Sequence, residues 1–177
     1  MNIPPDTKDW TWVLREPCPE CGFDAGVPPR NELAPLVLEV SQRWQEAMSA
    51  VPDAHPRPDP LVWSPLEYAC HVRDVFAIAT YRVGLMLDED DPQFANWDQD
   101  ATAIEDDYAS QDPAVVTAEL AARAVEFSSA LDEVPDNQWG RGGRRSDGAS
   151  FTVESFARYL LHDPIHHLTD VTRSPWA

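Results

Sequence analysis

"RYLLHDPIHHLTDV", residues 158–171, carries three of the five histidines of the chain within an apolar-periodic segment. On a helical wheel of residues 153–171, at about 100° per residue, most apolar side chains fall on one side. This pattern predicts an amphipathic helix that packs on a core. His167 falls inside the apolar sector, and Asp163 lies at the edge of that sector one turn earlier. The two side chains are spaced i, i+4, so both can reach one point.

Three other segments have helical periodicity, and two of them also have clear start signals. The second opens with "SPLE", in which Ser64 is the expected N-cap and Glu67 completes a capping box. The third opens with Asp112 as N-cap followed by a proline. The four predicted helices span about 32–51, 65–87, 113–134 and 152–171.

No alternating apolar run is long enough to require a sheet. We therefore predict an all-α fold, a four-helix bundle with an irregular N-terminal segment and a long loop between the second and third helices. Residues 1–30 form a predicted N-terminal extension that contains a C-x-x-C motif, and residues 31–177 form the predicted bundle domain. The long loop, residues 88–111, is rich in aromatic and acidic side chains. Its "FANWDQD" part is interpreted either as a lid over the bundle mouth or as a packed connector.

The composition excludes several functional classes. The formal net charge is −18, so the surface repels phosphate backbones and nucleic-acid binding is not expected. No apolar run approaches the length of a membrane span, and the N-terminus does not have the pattern of a signal peptide. Three cysteines argue against a secreted disulfide framework. We therefore expect a cytoplasmic protein that acts neither on membranes nor on nucleic acids.

A carboxylate and an imidazole buried against a core each need a partner. Asp163 and His167 can pair with each other, or both can bind a metal ion whose third ligand comes from another helix. His71, which borders the apolar side of the second helix, is the candidate third ligand. Pro164 disfavours regular helix at this turn, so the register is uncertain by one position. His162 and His166, also spaced i, i+4, are therefore the alternative pair, although the wheel places both on a solvent-facing side.

Two further motifs have more than one interpretation. Cys18 and Cys21 form a C-x-x-C motif that is half of a zinc site, a redox pair or neither. Arg141, Arg144 and Arg145 lie in a glycine-rich loop that holds an anionic substrate or is a solvated turn.

Two motifs together resemble the DinB-like superfamily, which includes mycothiol-dependent maleylpyruvate isomerases and bacillithiol- and mycothiol-linked S-transferases. They are "WSPLEYACHVRDV" at residues 63–75 and "YLLHDPIHHLTDV" at residues 159–171. The resemblance implies a four-helix bundle with a divalent metal, zinc or nickel. That metal is held by a histidine of the second helix and by a His-x-x-x-His or Glu-x-x-x-His pair of the last helix.

Residue by residue, His71 matches the second-helix ligand and His167 the final histidine, with Asp170 at the expected interval of three. Asp163 stands where the family has histidine or glutamate, which is a departure with a shorter reach. Two histidines and one carboxylate leave coordination positions open, as in catalytic zinc sites. The same ligand set also occurs in non-haem Fe(II) enzymes.

The resemblance implies a metal-dependent S-transferase or isomerase that uses a low-molecular-weight, mycothiol-type thiol and a small-molecule substrate, in a homodimer. Hydrolysis by metal-bound water is a related expectation. The alternative is a non-catalytic bundle with a structural metal or none, which acts in assembly.

Overall fold

The computed structural model describes residues 9–173. In that range the α-helices are α1 (Leu33–Ala50), α2 (Pro65–Asp88), α3 (Gln99–Glu105), α4 (Pro113–Asp132) and α5 (Val153–Arg173), and short 3-10 helices cover Trp10–Leu14, Arg30–Glu32 and Tyr108–Ser110. The four long helices form the bundle, with α1 and α2 each packed against both α4 and α5. The predicted mostly helical, four-helix architecture is confirmed.

The start of α2 is set by the predicted capping box. The Ser64 hydroxyl accepts a hydrogen bond from the Glu67 N–H at 3.2 Å, and the Glu67 carboxylate accepts one from the Ser64 N–H at 2.8 Å. Pro65 occupies the first helical position. A backbone N–H there would have no intrahelical acceptor, so the helix loses no hydrogen bond by having proline at this position. This cap determines where α2 begins, and it therefore determines which turn of α5 lies beside His71.

The hydrophobic core is one continuous cluster of aliphatic and aromatic side chains. Trp44 of α1 is fully buried, and its indole N–H donates a hydrogen bond to the carbonyl of Pro164 at 2.9 Å. The helix α5 continues through Pro164. A hydrogen bond from α1 thus fixes the turn of α5 that carries the candidate metal ligands.

A small three-stranded sheet, which the sequence analysis did not predict, lies beside the bundle. Its strands are β1 (Gln93–Phe94), β2 (Gly142–Arg145) and β3 (Ser150–Thr152). β1 pairs parallel with β2, with Gln93 opposite Arg144, and β2 pairs antiparallel with β3. A Cβ atom on Gly143 would lie 2.7 Å from Met86 of α2, so glycine permits the sheet to approach the helix closely. The pairing connects the long loop to the loop before α5.

The N-terminal segment covers the polar side of α5. The 3-10 helix Trp10–Leu14 packs on α5, and Arg158 donates hydrogen bonds to the carbonyls of Ala25 and Pro28. His162 and His166 are only 4% and 8% exposed. The prediction that these two histidines face solvent is therefore wrong, because a helical wheel of α5 contains no information about a segment that packs over it.

No helix in the described part of the chain has the length and hydropathy needed to cross a bilayer.

Candidate metal centre

The structure brings His71, Asp163 and His167 together where α2 meets α5. Each offers one ligand atom, and these atoms all lie within 4.8 Å of one another. Nε2 of His71 is 3.0 Å from Oδ1 of Asp163, and Nε2 of His167 is 3.9 Å from the same oxygen. The i, i+4 spacing places the two α5 side chains on one face, and helix packing supplies the histidine from α2.

The ring of His71 is held tightly. It is fully buried and stacks on Trp97 at 5.2 Å with an interplanar angle of 4°, while Trp63 lies 5.3 Å away. Its Nδ1 has no hydrogen-bond partner among residues 9–173. The ring is therefore positioned by aromatic packing, and its Nε2 is directed at Asp163.

The ring of His167 is oriented by a carboxylate. Its Nδ1 is 2.9 Å from Oδ2 of Asp170, and its Nε2 is on the side of Asp163. In many metal sites, one ring nitrogen of a histidine binds the metal while the other forms a hydrogen bond with a carboxylate. Asp170 can reach this ring because residues three positions apart are neighbours on the surface of a helix.

Asp163 is ready to act as a ligand. Its side chain is 34% exposed. Burial would raise its pKa, but His71 and His167 hold the pKa well below its usual value, so the carboxylate is ionised. Two imidazole nitrogens and one carboxylate oxygen suit zinc, nickel or iron, and three protein ligands leave positions open for water or substrate. In the structure described here, His71 and Asp163 also partner each other.

A cavity of about 740 Å³ adjoins these residues, and Asp163 and His167 form part of its wall. Asn96, Trp97 and Asp98 of the long loop also line the cavity. The "FANWDQD" part of that loop thus faces the cavity, as the lid interpretation required, and it also packs, since Trp97 stacks on His71.

Of the three arginines singled out in the sequence, only Arg145 lines the cavity. It also forms a salt bridge with Asp147 at 2.8 Å. Arg141 donates to backbone carbonyls at and just beyond the end of α2. Arg144 pairs with Asp91 at the surface.

Arg82 is a cavity residue that the sequence analysis missed. It is 8% exposed, lies over the ring of Phe94 and donates to the carbonyl of Ala95 at 2.8 Å. No carboxylate pairs with it within the described part of the chain, and burial, helped by nearby Arg145, lowers its pKa to about 10. The spacing along α2 could have predicted this position. Arg82 follows His71 by eleven residues, about three turns, so the two side chains lie on nearly the same face of the helix.

His162 and His166 do not join this site. They lie with Cys18 and Cys21 in a second cluster, whose ligand atoms are also all within 4.8 Å of one another. The cysteines are free thiols, and burial raises the pKa of Cys21 to about 11, with Cys18 adding to the rise. Burial, together with the nearby His166, lowers the pKa of His162 to about 4. The two i, i+4 pairs of α5 thus belong to two different groups of candidate ligands.

Comparison with known proteins agrees with this architecture. The fold is similar to that of YfiT from Bacillus subtilis, described as a probable metal-dependent hydrolase with an unusual four-helix bundle topology, with a TM-score of 0.72. The two chains are 22% identical over 81% of this chain and 86% of YfiT. No curated protein matches the chain. The family model of the DinB superfamily matches residues 36–171, a span that includes both α2 and α5. The chain therefore belongs to the DinB superfamily.

Proposed function

We propose that the protein is a metal-dependent enzyme in which His71, Asp163 and His167 hold a divalent ion, zinc or nickel, with open coordination positions directed at the cavity. One observation carries the proposal. Three ligand atoms converge within 4.8 Å, and two of the residues that supply them line a cavity of about 740 Å³. Open catalytic sites have such a three-ligand set, whereas structural sites are closed by four protein ligands.

The reaction we propose uses a low-molecular-weight thiol of the mycothiol type and an electrophilic small molecule. The thiol is either transferred to that molecule or assists its isomerisation. The enzyme acts as a homodimer. When bound, a divalent ion would remove the proton from a coordinated thiol. The residues of the chain do the rest. Asp170 orients His167, Trp97 and Trp63 hold His71, and the long loop restricts the access of water to the cavity.

The cavity favours a substrate that carries an anionic group. Arg82 is buried without a carboxylate partner in the described residues, and a buried charge is costly unless a counter-charge is present. A carboxylate of the substrate or of the thiol would supply that counter-charge. The acidic surface, at a net charge of −18, opposes nucleic acids and anionic membranes as partners, so the partner we propose is a small molecule.

Hydrolysis is the second candidate function. YfiT, which shares the fold, is described as a probable metal-dependent hydrolase, and an open position that accepts a thiol also accepts water. The two functions differ in whether turnover requires a thiol. A non-catalytic bundle would show no turnover with either nucleophile.

The first experiment measures metal content by inductively coupled plasma mass spectrometry on untagged protein. We expect His71→Ala and His167→Ala each to lose about one ion per chain, because each removes one of only three ligands. His55→Ala is the matched control, since His55 is exposed and its Nδ1 pairs with the exposed carboxylate of Asp53. A His71→Ala protein with the full metal content of the wild type would contradict the proposed site.

The second part of the test is a substrate panel with the metal-loaded protein. Electrophiles with and without a carboxylate are offered with mycothiol, bacillithiol, cysteine or no thiol. We expect thiol-dependent turnover that His71→Ala abolishes, and an Arg82→Met variant that loses about 10-fold to 100-fold in kcat/KM for carboxylate-bearing substrates only. Arg123→Met, on the exposed face of α4, is the control. Turnover without thiol would select the hydrolase, and no turnover with intact metal would reject the enzyme.

A further inference from the structure

The N-terminal C-x-x-C motif and the first histidine pair of α5 take no part in the proposed reaction. We propose that Cys18, Cys21, His162 and His166 form a second metal site, a closed tetrahedral zinc site that fastens the N-terminal segment to α5. None of these four residues belongs to the ligand set of the neighbouring His71 centre.

The separation of the ligand atoms fits a tetrahedral ion. Sγ of Cys18 lies 3.6 Å from Nδ1 of His166. Zinc–sulfur bonds of about 2.3 Å and zinc–nitrogen bonds of about 2.0–2.1 Å at a tetrahedral angle put these two atoms about 3.6 Å apart. All four ligand atoms lie within 4.8 Å of one another. Two thiolates and two neutral imidazoles balance the charge of Zn²⁺, so the ion can be buried without a further counter-ion.

One buried ring nitrogen in this cluster lacks a partner. His162 is 4% exposed, and its Nε2 has no hydrogen-bond partner anywhere in residues 9–173. Leaving a buried polar atom unsatisfied costs about 1–3 kcal/mol, and a zinc ion bound to this nitrogen would remove that cost. The indole of Trp10 packs against both imidazoles, at 5.4 Å from His162 and 5.2 Å from His166, and all three residues also line the cavity beside Asp163 and His167.

The backbone around the cysteines forms a tight turn. The carbonyl of Cys18 accepts a hydrogen bond from the N–H of Gly22 at 2.8 Å, and the N–H of Cys18 donates to the carbonyl of Phe23 at 2.8 Å. Gly22 has φ +78°, a left-handed conformation that glycine adopts without penalty. The turn brings both thiols to one side, where α5 supplies the histidines.

Helical geometry explains why α5 can serve two sites. The pair His162 and His166 is displaced by one residue from the pair Asp163 and His167, and one residue corresponds to about 100° of rotation. The first pair therefore faces the N-terminal segment and the second faces α2. Four protein ligands close the first site, as in structural zinc sites, and three leave the second open.

The same observations argue against a redox pair. Cys18, the first cysteine of the motif, is 1% exposed. The attacking cysteine of a redox pair is instead accessible to its reaction partner. Zinc coordination removes the thiol protons and uses all four side chains, which a redox pair would not.

The test replaces zinc with Co²⁺ in the full-length protein and records the absorption spectrum. We expect the thiolate-to-cobalt charge-transfer band and the intense visible bands of a tetrahedral ion. Cys21→Ser and His162→Ala should weaken these bands severalfold and lower the zinc content from about two ions per chain to about one. Cys70→Ser is the control, because Cys70 is a buried thiol of α2 outside the cluster. It should retain both the bands and the metal.

Different variants test the second zinc site and the His71 centre, so the failure of one proposal can be distinguished from the failure of the other. His71→Ala should lose one metal ion and keep the thiolate band, whereas Cys21→Ser should lose one ion together with the band. Cobalt-loaded wild type without a thiolate band, or a Cys21→Ser protein with unchanged metal content, would overturn the zinc proposal. If the serine variant does not fold, His166→Cys replaces one ligand with another, and the thiolate band should then gain intensity.

Discussion

At the scale of single residues, the direction of an imidazole ring depends on what its second nitrogen contacts. Nδ1 of His167 lies 2.9 Å from Oδ2 of Asp170, and Nε2 of His166 lies 3.8 Å from the same oxygen. One carboxylate thus lies beside a candidate ligand of each site, and it is close enough for a hydrogen bond only to His167.

We expect Asp170→Asn to weaken metal binding at the bundle site by about 10-fold to 100-fold, because outer carboxylates orient histidine ligands and raise their basicity. Competition with a chromophoric chelator measures this affinity. The control is Glu126→Gln, which changes an exposed carboxylate of α4 that pairs with Arg123. If cobalt-loaded Asp170→Asn loses the thiolate band instead, Asp170 supports the cysteine site. Unchanged affinity at both sites would show that it supports neither.

At the scale of one element, the start of α2 depends on a buried ion pair as well as on its cap. Both oxygens of Glu67 accept hydrogen bonds from the guanidinium of Arg57, and their side chains are only 3% and 17% exposed. Burial would raise the pKa of Glu67, but Arg57 and the N–H of Ser64 hold the pKa below its usual value of 4.5. The stabilisation from this lowered pKa is present above that value and is lost as the pH falls through the pKa of the folded state.

We therefore expect Arg57→Met to reduce the free energy of unfolding by about 3 kcal/mol near neutral pH, because it leaves a buried carboxylate without its cation. The difference from wild type should shrink as the pH falls, beginning above the usual value of 4.5, because burial raises the pKa of a carboxyl that has lost its cation and protonation then removes the unpaired charge. Urea unfolding in the presence of a chelator measures both values. Arg123→Met, which breaks an exposed pair, should change stability by less than about 1 kcal/mol. A loss that stays constant with pH would contradict this account.

At the scale of the whole molecule, α5 is contacted on two sides by segments that are distant in sequence. On one side His71 of α2 meets Asp163, and on the other Cys18 meets His166 across 148 residues of chain. Ions at the two sites would therefore connect the N-terminal segment, α5 and α2 in series.

We expect removal of both metal ions to lower the melting temperature by about 10–20 °C, about 5–10 °C for each ion. A ligand at about 100 times its Kd stabilises the folded state by about 2.7 kcal/mol, and each kcal/mol shifts the melting temperature of a chain of this size by about 2–4 °C. Differential scanning calorimetry with and without a chelator measures the shift. Zinc should restore it and magnesium should not, since magnesium prefers oxygen ligands. A variant that combines His71→Ala with Cys21→Ser should show no response to zinc, and an equal response in that variant would place the bound metal elsewhere.

The sequence by itself determined the local features of the protein. Caps and periodicity placed the four long helices, because Ser64 and Asp112 satisfy backbone donors whatever surrounds them. The i, i+4 spacing showed that Asp163 and His167 share a face, and the resemblance to the DinB superfamily indicated His71 as their partner. These features depend on residues only a few positions apart, or on motifs short enough to recognise.

Tertiary structure decided what each face of α5 meets. The wheel placed His162 and His166 on a polar side, and only the folded chain shows that the N-terminal segment buries them beside Cys18 and Cys21. The same holds for Arg82, whose side chain faces the cavity only after α2, the long loop and α5 have come together. The strands of two to four residues are too short for alternation to reveal. Contacts of this kind join residues far apart in sequence, and the pattern of one segment holds no record of the segment that will cover it.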